Sequence, residues 1–204
     1  NFRSKQKVAK AAKAAFALSV RDRESKALLE DLTQKEVLLV GDPAFSLAPK
    51  KAEKTEDYLL FALRPWQGRE VYLEKALLNL AKESTVPFLF VAMDPALDTP
   101  FARELAAKTQ GKVAYAHNLQ ELFSLFANAK LVCAMRLHGI IFAALHGKKI
   151  VAINYDPKVD SLCREIGITA LSLEPKIIKD LPKALKLAPE AKIKKEIEKA
   201  EMGL

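Results

Sequence analysis

The sequence predicts an α/β protein built on a doubly wound parallel sheet, and three observations predict it. From residue 58 to residue 188, short apolar runs of strand type alternate with longer stretches of helical spacing. The turns between them are short, as in a parallel sheet covered by helices on both faces. Half of the 204 residues are apolar, enough to close a sizeable core.

The elements follow in order. Residues 8–20 are rich in alanine and are preceded by Arg3, Lys5 and Lys7. Lys10 and Lys13 interrupt them, so the segment reads as a basic helix running into a strand over 16–20 rather than as a secretory signal. Arg21 ends that strand, and Asp22 is expected to be the N-cap of a helix over 24–32. A second strand covers 37–40 and is closed by Gly41, Asp42 and Pro43, with Asp42 as a turn residue. Residues 49–57 are charged and lack apolar periodicity, as a linker does. Beyond it, strands are predicted over 59–63, 87–92, 113–116, 131–134, 150–153 and 170–173. Helices are predicted over 69–83, 99–109, 119–127, 139–145, 159–166 and 176–187. The expected organisation is thus the end of an amino-terminal α/β domain (1–50), a linker (51–57), a complete Rossmann-like domain (58–188) and a carboxyl-terminal helix (189–204). The first fifty residues hold too few strands to bury a sheet on both faces, so they are expected to be part of a longer domain.

Charge and cysteines narrow the partners. The net charge of +8 is mostly lysine, much of it at the two ends of the chain. From Lys176 onward lysines and glutamates mix on amphipathic stretches, the pattern of a solvated face. No aromatic residue interleaves with that basic tail, so nucleic acid is not an expected partner. The acid-free series Arg3, Lys5, Lys7, Lys10 and Lys13 suits peripheral contact with an anionic membrane surface. Cys133 and Cys163 stand in apolar settings without C-x-x-C spacing, as reduced core thiols do, which points to the cytoplasm.

The chemistry is concentrated in the turn after the strand at 131–134. In a parallel sheet, ligands bind beyond the carboxyl ends of the strands, where the next helix offers unpaired N–H groups. Arg136, Leu137 and His138 occupy that turn. Arg136 can grip a carboxylate or phosphate with two prongs, and His138 can move a proton near neutral pH. Arg21, Arg64 and the Tyr155–Lys158 segment end other strands, so several cations can converge on one small polyanion. Each also has a structural alternative. Arg21 can pair with Asp22 or Glu24, Arg64 can stack on Trp66, and Asp156 can cap a helix and leave Lys158 solvated. His117 and His146 are given no role. The G-x-G-x-x-G fingerprint, the G-x-x-x-x-G-K-[ST] loop, the G-x-S-x-G elbow and H-E-x-x-H are all absent from the sequence.

Five segments, in order, resemble the motifs of bacterial polysaccharide pyruvyl transferases. They are S-V-R-D-R-E-S (19–25), G-D-P-A-F (41–45), A-L-R-P-W (62–66), M-R-L-H-G-I-I-F-A-A (135–144) and Y-D-P-K-V-D (155–160). The likeness is greatest to the branch that pyruvylates secondary cell-wall polymers. It implies a two-domain fold like that of B-type glycosyltransferases (GT-B), with this chain supplying the carboxyl-terminal domain and the end of the first. It also implies phosphoenolpyruvate as co-substrate and a sugar of a cell-wall polysaccharide, or of its lipid-linked precursor, as acceptor. A cytoplasmic enzyme, working at the inner face of the membrane, is the corresponding location. A Gly-rich G-N-x-G-D motif typical of the family's amino terminus has no match in this sequence.

On that resemblance His138 is the acid, and Arg136 with the Leu137 and Gly139 backbone N–H groups holds the anion. Lys158, Arg21 and Arg64 are further substrate-binding cations, and the scheme requires neither metal nor cofactor. Two other readings stay open on sequence: a GT-B-type glycosyltransferase using a nucleotide sugar, and a non-enzymatic module binding nucleic acid or a membrane surface.

Overall fold

The computed structural model describes residues 2–47 and 56–203. Most of the predicted linker at 51–57 therefore lies outside the described residues. Two compact units are present, Asn1–Leu47 with Lys194–Leu204, and Ala48–Ile193.

The first unit begins with helix α1 (Phe2–Ala14), followed by strand β1 (Ser19–Val20), helix α2 (Arg23–Thr33) and strand β2 (Leu38–Leu39). β1 and β2 pair in parallel, Ser19 opposite Leu38. The strand predicted over 16–20 is thus confined to its last two residues, and Phe16 is fully exposed. Asp22 caps α2 as predicted, its side chain accepting from the Ser25 N–H at 2.7 Å. The 3-10 turn Pro43–Ser46 packs on the helix Lys194–Glu201, which brings the end of the chain into this unit. Gly41 has φ of 60° there, a left-handed conformation open to glycine at little cost.

The second unit alternates strand and helix without a break. The order is β3 (Leu59–Ala62), α3 (Glu70–Glu83), β4 (Phe88–Val91), α4 (Pro95–Thr109), β5 (Lys112–Ala114), α5 (Leu119–Asn128) and β6 (Leu131–Ala134). It continues through α6 (Leu137–Leu145), β7 (Lys149–Asn154), α7 (Pro157–Glu165), β8 (Ala170–Ser172) and α8 (Ile177–Leu187). All neighbouring strands are parallel, in the order β5-β4-β3-β6-β7-β8. This is the order of the doubly wound dinucleotide-binding fold, in which the chain turns back between its first and fourth strands, here β3 and β6.

Strand periodicity explains the two-sided core. Leu59, Phe61, Phe88, Phe90, Leu131, Cys133, Val151 and Ile153 belong to the cluster that includes Leu73 and Leu77 of α3, Phe101 and Leu105 of α4, and Ile177 and Leu181 of α8. The alternating residues Leu60, Ala62, Val132, Ala134, Ile150 and Ala152 are also buried and belong to the opposite face, which α5, α6 and α7 cover. Each fully buried Leu, Ile or Phe contributes roughly 1.5–3 kcal/mol, so the double coverage offsets much of the chain's ordering entropy. Cys133 and Cys163 lie within this core as free thiols. Burial pushes both thiols up, Cys163 to about 12, so neither ionises at neutral pH.

One boundary differs usefully from expectation. The helix predicted over 99–109 begins at Pro95, because Asp94 caps it through the Ala96 and Leu97 N–H groups and Pro95 supplies a preset φ at the first turn. Pro100 lies inside the helix. The earlier start brings Asp98 into the helix.

α6 lies unusually close to the sheet. A Cβ at Gly139 would come within 3.1 Å of the Ala62 Cβ and 3.3 Å of the Ala134 Cβ, and neither atom can swing away. Gly139→Ala therefore gains about 1 kcal/mol of helix propensity but suffers about 1–3 kcal/mol of overpacking. We expect a net loss near 1 kcal/mol, seen as a lower thermal midpoint. An unchanged or raised midpoint would show that α6 can lift without cost.

Candidate active site

The turn after β6 is built against the end of β3. Ala62 pairs with Ala134, and the Ala62 carbonyl accepts from the N–H groups of Met135 at 3.0 Å and Arg136 at 3.4 Å. Arg64 leaves β3 and Arg136 leaves β6 at the carboxyl ends of two adjacent strands, where the strand order reverses. Crevices in doubly wound sheets open at this position.

α6 starts there with its backbone donors uncommitted to a side-chain cap. Arg136 is the N-cap residue, in extended conformation, and its side chain makes no cap hydrogen bond. The leading N–H groups of any helix lack intrahelical partners, and the helix dipole adds partial positive charge. Leu137 and Gly139 contribute two of them, both residues being buried. His138 is exposed, with its ring 6.1 Å from that of Phe142 in a stacked orientation.

Arg136 is anchored rather than loose. Its Nε donates to Asp98 Oδ2 at 3.0 Å and its Nη2 donates to Asp98 Oδ1, a two-pronged ion pair with a carboxylate that is fully buried. Asp94 Oδ2 stands 3.8 Å from the same Nη2. The partner of Arg136 is thus a core carboxylate and not a surface one. Sequence reasoning missed Asp98. The Asp-Pro pair at 94–95 was the available signal, since it marks a capped helix start that carries Asp98 on its first turns.

Arg64 is held by aromatic rings. Its guanidinium carbon is 5.1 Å from the Trp66 ring centroid and 5.2 Å from that of Tyr155, and the two rings meet edge-on at 4.7 Å. Its Nη1 reaches the Tyr155 hydroxyl only at 3.5 Å, and its Nε is buried without a hydrogen-bond partner. The expected stacking on Trp66 is present, with Tyr155 as a second face. The fold thus brings the β3, β6 and β7 ends together around two arginines.

Lys158 is in the first turn of α7, which Asp156 caps by accepting from the Lys158 N–H. Its Nζ is 3.8 Å from Asp156 Oδ2 and its side chain is 44% exposed, so it remains largely solvated. Arg21 belongs to the first unit, where its Nη1 donates to Asp42 Oδ2 at 2.6 Å. The alternative of a pair with Asp22 or Glu24 takes a different form: Asp22 is engaged in capping α2, while Asp42 approaches from the end of β2. Asp42 is buried and also caps the 3-10 turn by accepting from the Ala44 N–H.

The other histidines differ from His138. His146 ends α6 half-buried, with its ring edge-on to Phe123 at 5.5 Å. Burial, reinforced by the Lys148 charge, holds its pKa below the ordinary histidine range, so the ring is neutral at pH 7. His117 is exposed in the turn before α5. Among the described residues, no group of three or more His, Cys, Asp or Glu side chains could hold a metal ion, and no helix is long and apolar enough to cross a membrane.

Comparison with known proteins gives this geometry a context. The sequence profile of a family described as polysaccharide pyruvyl transferase matches residues 1–157. No curated protein matches the chain. Among solved structures, TarM aligns with a TM-score of 0.58 at 13% identity, covering 98% of this chain and 41% of that one. UDP-GlcNAc 2-epimerase from Methanocaldococcus jannaschii, in complex with UDP-GlcNAc and UDP, aligns at 0.63 and 14%, covering 84% and 54%. A glycosyltransferase from Rickettsia africae aligns at 0.57 and 15%, covering 96% and 62%. At such identities the likeness is one of fold, that of GT-B glycosyltransferases. The chain spans less than two thirds of each of these three structures.

Proposed function

This chain belongs to the polysaccharide pyruvyl transferase family, and from that premise we propose that the full-length protein moves the enolpyruvyl unit of phosphoenolpyruvate to a sugar. The acceptor in this reading is a cell-wall polysaccharide or its lipid-linked precursor, of the secondary cell-wall type. One observation carries the reading: two arginines end adjacent strands at the sheet's reversal point, next to a helix N-terminus without a side-chain cap and an exposed histidine.

Phosphoenolpyruvate carries a carboxylate and a phosphate on three carbons, and it needs donors and positive charge within a small volume. Arg64 supports this best, because its buried Nε lacks a partner and its charge faces aromatic rings rather than a carboxylate. The Leu137 and Gly139 N–H groups add fixed donors, and Lys158 adds a mobile cation.

His138 is the proton donor in this scheme. Protonation of C3 turns the methylene into a methyl group and leaves oxocarbenium-like charge at C2. A sugar hydroxyl forms a bond to C2 and gives up its proton. The C2–O bond to phosphate then breaks, and a second hydroxyl of the same sugar closes the ketal. Of the two hydroxyl protons, one balances that gained by C3 and the other leaves with phosphate. A positioned histidine contributes on the order of 10²–10⁴ in rate to such a step.

Full-length protein supplied with phosphoenolpyruvate and a polyprenyl-diphosphate-linked disaccharide should release inorganic phosphate and add an acid-labile pyruvate to the glycan. Saturable binding of a nucleoside diphosphate, with none of phosphoenolpyruvate, would instead favour a nucleotide-sugar glycosyltransferase. Tight, salt-sensitive binding to anionic vesicles alongside the transfer would support a site of work at the inner face of the membrane.

A further inference from the structure

Asp98 is a buried ionisable group that the chemistry above leaves unused. Its side chain is fully buried, and a carboxylate removed from water costs several kcal/mol unless it is well paired. Both of its oxygens are engaged. Oδ2 accepts from Arg136 Nε at 3.0 Å and from the Asp94 backbone N–H at 2.9 Å, while Oδ1 accepts from Arg136 Nη2.

The start of α4 holds this carboxylate in place. Asp94 caps the helix by accepting from the Ala96 and Leu97 N–H groups, and Asp98, four residues on, returns a carboxylate oxygen to the Asp94 N–H. The exchange resembles a capping box and fixes Asp98 on a rigid element. Arg136 in turn is bound along its Nε–Nη2 edge, which leaves the two N–H groups of Nη1 and one of Nη2 for other acceptors.

We infer that Asp98 is a positioning residue, which orients the Arg136 guanidinium so that its Nη1 end meets the substrate anion. The inference rests on the proposed phosphoenolpyruvate site and adds a division of labour to it. Asp98 offsets the charge of Arg136, so Arg136 supplies directed hydrogen bonds, and Arg64 and Lys158 supply the net positive charge. Asp98 touches no substrate and acts only through Arg136.

A double-mutant cycle on the full-length protein tests this, with KM for phosphoenolpyruvate, kcat and thermal midpoint read for each variant. Asp98→Asn keeps the shape but turns an amide donor or a neutral oxygen toward the guanidinium. It is expected to raise the phosphoenolpyruvate KM about tenfold or more, with kcat held within about threefold and the acceptor KM unchanged. Arg136→Lys should give a similar rise. The double variant should be no worse than Arg136→Lys alone, because nothing remains for Asp98 to orient. Additive losses would overturn the inference, since Asp98 would then act independently of Arg136. An unchanged KM in Asp98→Asn beside a raised one in Arg136→Lys would overturn it as well, while leaving the site standing. If Arg136→Lys itself leaves the phosphoenolpyruvate KM unchanged, the site assignment fails and the inference fails with it. Should Asp98→Asn fold poorly, Asp98→Glu keeps the charge and displaces the guanidinium by one methylene. The same KM rise is expected of it, and a wild-type KM would count against positioning.

Discussion

His138→Ala is expected to lower kcat for pyruvyl transfer by about a hundredfold or more in the full-length protein, with the phosphoenolpyruvate KM little changed. The size follows from the role: a positioned acid contributes only in the transition state, so its loss falls on kcat. The imidazole stands on the exposed second residue of α6, with its ring stacked on that of Phe142. Because the side chain is exposed, removing it should change stability by no more than about 1 kcal/mol, and the thermal midpoint should stay within about 4 °C. A folded variant with wild-type kcat would assign the proton to another group.

The largest effect on stability is expected at Arg136. Arg136→Met leaves the Asp98 carboxylate buried without its charge partner, which typically costs about 3–5 kcal/mol. At about 2–4 °C per kcal/mol for a chain of this size, the thermal midpoint should fall by roughly 6–20 °C. Adding Asp98→Leu removes the orphaned charge, and most of the lost stability should return, because a buried pair and an apolar pair of similar volume differ little. Recovery of stability without recovery of activity is the expected pattern. If Arg136→Met alone melts like the parent, water reaches Asp98 and the pair is not buried in solution. If the double variant stays as unstable as the single one, packing rather than charge sets the loss.

Much of the second unit was legible because its signals are local. Every predicted strand from residue 59 onward corresponds to an observed one, as does every predicted helix from residue 69 to residue 187, since apolar runs and turn residues report on their own neighbourhood. β6 has the predicted bounds. The misplaced start of α4 has the same origin. The expected start at residue 99 overlooked the Asp94 cap and Pro95, which had already set the helix going. In the first unit the strand over 16–20 shrank to two residues, because pairing to β2 engages only Ser19 and Val20.

The candidate site divides along the same line. Arg64, Arg136, His138 and Lys158 could be named from their places just after apolar runs, and Asp22 and Asp156 from their capping positions. Asp98 could not, because nothing in the spacing of 98 and 136 signals a contact. The Tyr155 face over Arg64 and the Asp42 partner of Arg21 were hidden for the same reason, at separations of 91 and 21 residues.

The sequence by itself determined the alternation of strands and helices, the helix caps and the residues that leave each strand, because these depend on propensities and hydrogen bonds within a few residues. Only the tertiary structure decided that β6 lies beside β3, and with it the reversal point, the approach of Gly139 to Ala62 and the Asp98 anchor beneath Arg136. Strand order is set by how crossovers pack helices on the two faces of the sheet, and a buried carboxylate finds its partner only when that packing excludes water from both.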